Sequence, residues 1–378
     1  MRIRAWCEQA EWTRRLEAEL DNVRAGIALA LEGVAAPVNA VKFGVALMSF
    51  WIFRGYSTEG RSIMRAALAL SEVQQSPIAH AYALYVAGVL ADNQSDYAEA
   101  RKLLSACLEL RRELGNPREV AATLSTLSTV RLHENDAAQA RTSEEEALAI
   151  FRELGDRIGE AIGLLHLGEI NEELSDSDAA RKDFEQSLAI ALAVRHRELE
   201  GECERNLGEL ALHGGDLSAA RTRFERSLEV FRAAEDKRGE ATALWWMGRA
   251  DIVAGSGDSA RSQLGKALVA FQAFEMNGEL LGCLEDLAGI LQSLGLSVEA
   301  IRLYAAAETA RERLRLRRPR RSDHRWRAGV AEARGAVGDA AFNAAWEEGS
   351  AWELQKAARI AFAHTRNPDR AHLTTAEA

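Results

Sequence analysis

A forty-residue register runs through the sequence and constrains its fold more than any other feature. Alanine stands at Ala100, Ala140, Ala180, Ala220, Ala260 and Ala300. Arginine follows at Arg101, Arg141, Arg181, Arg221 and Arg261, with Ile301 as the exception. Seven residues after each arginine comes leucine, at Leu108, Leu148, Leu188, Leu228 and Leu268. Gly60-Arg61 with Leu68 extends the register one step back. A period held without slippage marks a tandem array, in which each unit buries its apolar face only against its neighbours.

The units read as helix pairs. Only 5 prolines occur in 378 residues, while Ala, Leu, Glu and Arg, all good helix formers, are abundant. First helices are predicted near 78–93, 118–133, 158–174, 198–213, 238–254 and 278–294, and their partners near 97–114, 137–154, 177–194, 217–233, 257–274 and 297–314. Residues 38–54 and 57–72 form an earlier pair. Residues 8–32 read as a single helix, with Trp12, Leu16, Leu20, Val23 and Ile27 on one face. Asp96, Asp136, Asp176, Asp216 and Gly255 fall between the helices of a pair. Gly115-Asn116-Pro117 and Gly155-Asp156 fall between pairs. Asp or Asn there can accept hydrogen bonds from the free N–H groups that open the next helix. Gly88, Gly168, Gly208 and Gly248 repeat at one first-helix position. Glycine costs about 1 kcal/mol against alanine inside a helix. Its repetition there predicts that the partner helix crosses closely, and the repeated alanines predict the same on the second helix.

The remaining composition excludes several classes. The formal net charge is -10. No window approaches the roughly 18 apolar residues of a membrane span. Met1-Arg2-Ile3-Arg4-Ala5-Trp6 lacks the apolar run of a secretion signal, so a cytoplasmic location is expected. Cys203 and Cys283 lie two periods apart, at a position that holds Thr123, Gly163 and Ala243 elsewhere. They read as small buried side chains, and no CxxC pair suggests a metal or redox role.

The repeat resembles the tetratricopeptide repeat, whose pattern W-x2-L-G-x2-Y…A-x3-F…P spans about 34 residues. Leu164-x2-Leu167-Gly168 matches its first half and Ala180-x3-Phe184 its second. Leu207-Gly208 with Ala220-x3-Phe224 repeats the match, as does Ala300-x3-Tyr304. The Trp and Tyr positions are mostly replaced, and the extra length follows the second helix, as in Arg152-Glu153-Leu154-Gly155-Asp156. The resemblance covers roughly residues 38–314. A narrower resemblance lies at the two ends. Trp12 to Ala25 looks like the helix that opens the repeat domain of bacterial STAND-type ATPase regulators. Ala341-Phe342-Asn343-Ala344-Ala345-Trp346-Glu347-Glu348-Gly349 looks like the segment that closes it. Such regulators carry a nucleotide-binding module before the repeats, and LuxR-type members a helix-turn-helix after them. No GxxxxGK[ST] stretch occurs in this sequence, and His372 to Ala378 is only faintly similar to the onset of a LuxR-type domain.

The resemblance implies an all-α, right-handed solenoid of about seven helix pairs. Residues 1–37 would be an N-terminal capping helix, 38–316 the superhelix, 317–364 a basic loop and C-terminal helical cap, and 365–378 a disordered tail. The implied function is a non-enzymatic interaction or ligand-sensing module of a bacterial signalling or transcription regulator. Its partner would be a protein segment, a peptide or a small inducer, and an oligomer is left open. The alternatives are a free-standing adaptor, or a nucleic-acid-binding protein that uses the basic stretch Arg311 to Arg327.

In tetratricopeptide arrays the first helices line a groove. That position puts Ser125, Leu165, Arg205, Trp245 and Glu285 in one row, and Thr129, Glu169, Glu209, Arg249 and Gly289 in the next. Arg205, Trp245, Arg249, Glu169, Glu209 and Glu285 are the candidate partner-binding residues. Trp245 and Trp246 cannot both point inward on one helix, so one should face a groove or partner. A second candidate is the basic stretch Arg311 to Arg327, with Arg315, Arg317, Arg318, Arg320 and Arg321 at its centre and Trp326 among them. Clustered arginines can neutralise nucleic-acid phosphates, or else pair with acidic neighbours around the Pro319 loop. Glu144-Glu145-Glu146 reads as a solvated helix face. His133 and His213 share a repeat position but stand two periods apart, too far along a stack to hold one metal. No catalytic residue, metal ligand or cofactor is assigned.

Overall fold

A computed structural model describes residues 15–316 and 318–366. Trp12 and the rest of the opening motif before Arg15, Arg317, and the tail after Arg366 lie outside the described residues. Within them the chain is helical, without a strand. In chain order the helices are α1 (Leu20–Leu31), α2 (Val38–Arg54), α3 (Ser57–Leu68), the short α4 (Ser71–Gln74), α5 (Pro77–Asn93), α6 (Tyr97–Leu114), α7 (Pro117–His133), α8 (Ala137–Glu153), α9 (Arg157–Glu173) and α10 (Ser177–Val194). They continue with α11 (Arg197–His213), α12 (Leu217–Ala233), α13 (Lys237–Val253), α14 (Gly257–Ala273), α15 (Asn277–Ser293), α16 (Ser297–Leu314), α17 (Arg320–Val337), α18 (Asp339–Ser350) and α19 (Leu354–Arg366). The chain divides into two compact units. One comprises residues 1–203 with 230–236, the other residues 204–229 with 237–378.

The fold is all-α and built of tetratricopeptide-type helix pairs: α2/α3, α5/α6, α7/α8, α9/α10, α11/α12, α13/α14 and α15/α16. One backbone device closes these helices. Ser95, Gly115, Asn135, Gly155, Ser175, Arg195, Gly215, Glu235, Gly255, Glu275, Gly295 and Arg315 all have positive φ, between 55° and 82°. The left-handed residue therefore recurs every twenty positions and ends each helix where the next must begin. Asn116, Asp136, Asp156 and Asp176 then accept from backbone N–H groups at the start of α7, α8, α9 and α10.

The first pair departs from this schedule. Its second helix stops at Leu68 rather than running to 72. Leu70 is extended (φ −78°, ψ 131°), and α4 supplies a separate turn. At the N-terminus the long opening helix is interrupted at Glu19, whose backbone leaves the helical region (φ −101°, ψ 5°). After the seventh pair, α17 and α18 continue the register as a helical hairpin, with Ala340 forty residues after Ala300.

The repeated residues have distinct jobs. All six register alanines, Ala100 through Ala300, are fully buried. The register glycines face the partner helix. A Cβ on Gly168 would lie 2.3 Å from Phe184, on Gly208 2.6 Å from Phe224, on Gly88 2.7 Å from Leu104 and on Gly248 2.9 Å from Leu264. The close crossing expected from the glycine pattern is therefore present, and the large side chain four residues after each alanine fills it. The register arginines tie one pair to the next. Arg61 reaches Asp96 at 2.6 Å, Arg101 reaches Glu134 at 2.9 Å, Arg141 donates to Asn171, and Arg221 reaches Asp251 at 3.0 Å.

Candidate functional site

The first helices of neighbouring pairs are stitched together through side chains forty-one residues apart. In the first unit Tyr85 Oη lies 3.3 Å from Thr126 Oγ1, Ser125 Oγ 3.0 Å from His166 Nδ1, and Asp92 Oδ1 3.3 Å from His133 Nδ1. In the second unit Trp245 Nε1 donates to Asp286 Oδ2 at 2.7 Å. At α5–α7, α7–α9 and α13–α15, one position of a repeat thus meets the following position of the next. This joins α5, α7 and α9 in the first unit, and α13 and α15 in the second, into walls of polar and aromatic side chains.

In the first unit the wall carries Tyr82, Tyr85, Thr126, Thr129, His166 and the candidate Glu169, all half-buried. Behind it Arg111 is buried. Its guanidinium stacks 4.2 Å from the Tyr85 ring centre and donates to Thr123 Oγ1 at 2.8 Å and to the Glu119 carbonyl at 3.1 Å. Tyr82 donates to the Glu119 carboxylate, and this hydrogen bond, with burial, raises its phenolic pKa.

In the second unit Arg205 and Glu209 face each other across one turn of α11 at 3.7 Å, with their side chains 15% and 18% exposed. The other candidates are absorbed by internal contacts. Trp246 is buried in the core against Phe224. Trp245 is the half-buried one of the pair, and its ring packs over Gly282. Arg249 is buried, with its guanidinium 4.0 Å from the Trp246 ring centre and Nε 3.7 Å from Asp286. Glu285 is also buried and accepts from Arg311 Nε at 2.8 Å and Arg318 Nη2 at 3.0 Å.

The basic stretch follows the same logic. The Arg318 side chain is only 6% exposed. It pairs with Glu285, with Glu308 at 2.6 Å and with Asp323 at 3.5 Å, and stacks 4.0 Å from the Trp326 ring centre. Arg325 reaches Asp286 Oδ1 at 2.8 Å. Of the stretch, Arg311, Arg313, Arg318, Arg325 and Arg327 therefore pair with acidic neighbours. Arg315 is exposed at the left-handed end of α16, and Arg320 and Arg321 open α17.

One sequence reading is corrected. Glu144 is not on a solvated face; it has no exposed surface at all. Its Oε1 accepts from Ser125 Oγ at 2.8 Å and its Oε2 lies 3.2 Å from His166 Nδ1. The signal was present in the register, since Glu144 stands where Phe184 and Phe224 stand in other copies. The cysteines Cys107, Cys203 and Cys283 are free and buried, and burial raises the thiol pKa of Cys107 and Cys283.

Helix pairs with a glycine-to-aromatic crossing and a stitched first-helix wall define a tetratricopeptide-class repeat. The tetratricopeptide-repeat family model matches residues 78–153 and 159–233, and those residues are tetratricopeptide repeats. No curated protein matches the chain by sequence. Among solved structures the fold is similar to NprR in complex with its cognate peptide NprX, with TM-score 0.56 and 16% identity over 86% of this chain and 97% of that one. It is similar to the apo form of RapI, with TM-score 0.56 and 12% identity over 72% and 97%. It is also similar to a STAND protein with a tetratricopeptide-repeat sensor, PH0952 from Pyrococcus horikoshii, with TM-score 0.51 and 14% identity over 95% of this chain and 54% of that one. No helix among the described residues is long and apolar enough to cross a membrane.

Proposed function

We propose that the chain is the non-enzymatic interaction or sensing module of a bacterial signalling or transcription regulator of the STAND or LuxR type, acting in the cytoplasm. Its first-helix wall holds a protein segment, a peptide or a small inducer. The observation that carries this reading is the stitching of neighbouring first helices, Tyr85 to Thr126 and Ser125 to His166, which makes separate repeats into one surface. A stack of this kind presents a broad recognition face without a strained reaction centre. The fold-level likeness to NprR bound to NprX and to PH0952, a STAND protein with a tetratricopeptide-repeat sensor, supports it. The regulator class rests on the resemblance of the two end segments, Trp12 to Ala25 and Ala341 to Gly349.

The test is selection of binders from a random-peptide display library, followed by fluorescence anisotropy of the selected peptides. Glu169→Lys alters the first unit's wall, and Arg205→Ala and Glu209→Lys alter the half-buried pair on α11 in the second; a peptide held by either unit is expected to bind at least about tenfold more weakly when that unit is altered, the equivalent of 1.4 kcal/mol. Peptides that bind all three variants as tightly as the parent would reject the wall as the binding face.

A further inference from the structure

Four pairs close on the same contact, a glycine on the first helix against a large apolar side chain sixteen residues later: Gly88 with Leu104, Gly168 with Phe184, Gly208 with Phe224 and Gly248 with Leu264. The α7/α8 pair has changed both partners. Ser128 stands at the glycine position and Glu144 at the large apolar position. Both are buried, Ser128 at 1% exposure and Glu144 at 0%. A carboxylate moved from water into a helix-pair core is costly unless its oxygens are paired. Ser125 from α7 supplies one partner, at 2.8 Å. The second comes from the next pair. His166 on α9 places Nδ1 3.2 Å from Glu144 Oε2 and 3.0 Å from Ser125 Oγ. The packing of the α7/α8 core is therefore completed by a titratable group of its neighbour.

We propose that Ser125, Glu144 and His166 form a proton-operated latch between the α7/α8 and α9/α10 pairs, closed while His166 is charged and loosened when it becomes neutral. A charged imidazolium compensates the buried Glu144 carboxylate; a neutral ring leaves it with weaker dipolar partners. The charged groups acting on His166 are Glu144 from α8, Glu169 one turn along α9, and Asp92 from α5. Burial by itself lowers the imidazole pKa, but the three carboxylates outweigh it and the net shift is upward. The latch thus stabilises fully below the unfolded histidine value of 6.5 and is lost as pH rises through the higher folded value. Since His166 lies on the first-helix wall, the same proton changes the charge that the wall presents.

The test is amide hydrogen exchange of the whole chain across pH 6 to 8.5, corrected for intrinsic exchange, in the parent, in His166→Gln and in Ser128→Gly/Glu144→Phe. The double variant installs the packing seen at Gly168 and Phe184. The parent should lose protection in α7, α8 and α9 as pH rises, and either folded variant should not. If parent protection in these helices stays level across the range, or if the double variant loses protection as the parent does, the latch does not exist.

Discussion

Trp245 and Asp286, forty-one residues apart, are joined by an indole N–H to carboxylate hydrogen bond of 2.7 Å. Asp286 is almost fully buried, with its side chain 2% exposed, and it also meets Arg325 at 2.8 Å and Arg249 at 3.7 Å. One carboxylate therefore couples the α13 and α15 first helices to the α17 hairpin. Trp245→Phe keeps an aromatic side chain but removes the donor and part of the packing over Gly282, and should cost at least about 1–2 kcal/mol in urea unfolding. Asp286→Ala removes the common acceptor and leaves Arg249 buried beside it. Its cost should be larger, about 3 kcal/mol.

The glycine-to-aromatic crossing gives a second prediction. A Cβ at Gly168 would lie 2.3 Å from Phe184 in a packed core. Gly168→Ala should therefore destabilise by about 1–3 kcal/mol through overpacking, despite the better helix propensity of alanine. Combining it with Phe184→Leu should recover part of that loss. Additive costs in the thermal unfolding of the single and double variants would argue against a direct clash.

The twenty-residue series of left-handed caps gives a third. Glu235 and Glu275 hold φ near 55°, a region in which a side chain is strained. Replacing either with glycine should raise stability by about 0.5–1 kcal/mol, the relief of strain being partly offset by the freer unfolded chain. Gly255→Ala, at φ 74°, should lower it by about 1 kcal/mol. Chemical denaturation midpoints that move the opposite way would show that these residues end their helices for another reason.

Asp156 at the start of α9 gives a pH-dependent case of opposite sign to the latch. Burial alone would raise its carboxyl pKa. Hydrogen bonds from the Gly159 N–H at 3.1 Å and from Arg118 at 2.7 Å outweigh burial and hold it below the usual value. Its contribution is thus present above the unfolded aspartate value, about 3.9, and lost as pH falls through the lower folded one. Asp156→Ala should cost about 1 kcal/mol near neutral pH. The difference from the parent should shrink in acid, as read from thermal unfolding at stepped pH.

Much of this architecture was legible without coordinates. The forty-residue register, from Gly60-Arg61 to Ala300-Ile301, located the helix pairs, and the repeated glycines announced the close crossing, because a close approach favours the smallest residue. What the register arginines do was not legible. Arg61, Arg101, Arg141 and Arg221 find partners thirty to thirty-five residues ahead. A long flexible side chain carries no mark of which neighbour it will meet.

The candidate wall shows the division most clearly. Its rows could be drawn from the forty-residue period, since helical geometry dictates which residues share a face. Burial along those rows could not. Arg249, Glu285 and Arg318 look like solvated charges in one dimension, and Glu144 looks like part of an acidic surface run. In three dimensions each is enclosed by side chains from other helices. The helices, their spacing and the crossing points follow from the amino-acid pattern alone, because local steric rules repeated every period set them. Which charges are internal pairs and which face outward emerges on folding, because the cost of burying a charge depends on partners that adjacent pairs bring, and no local pattern encodes them.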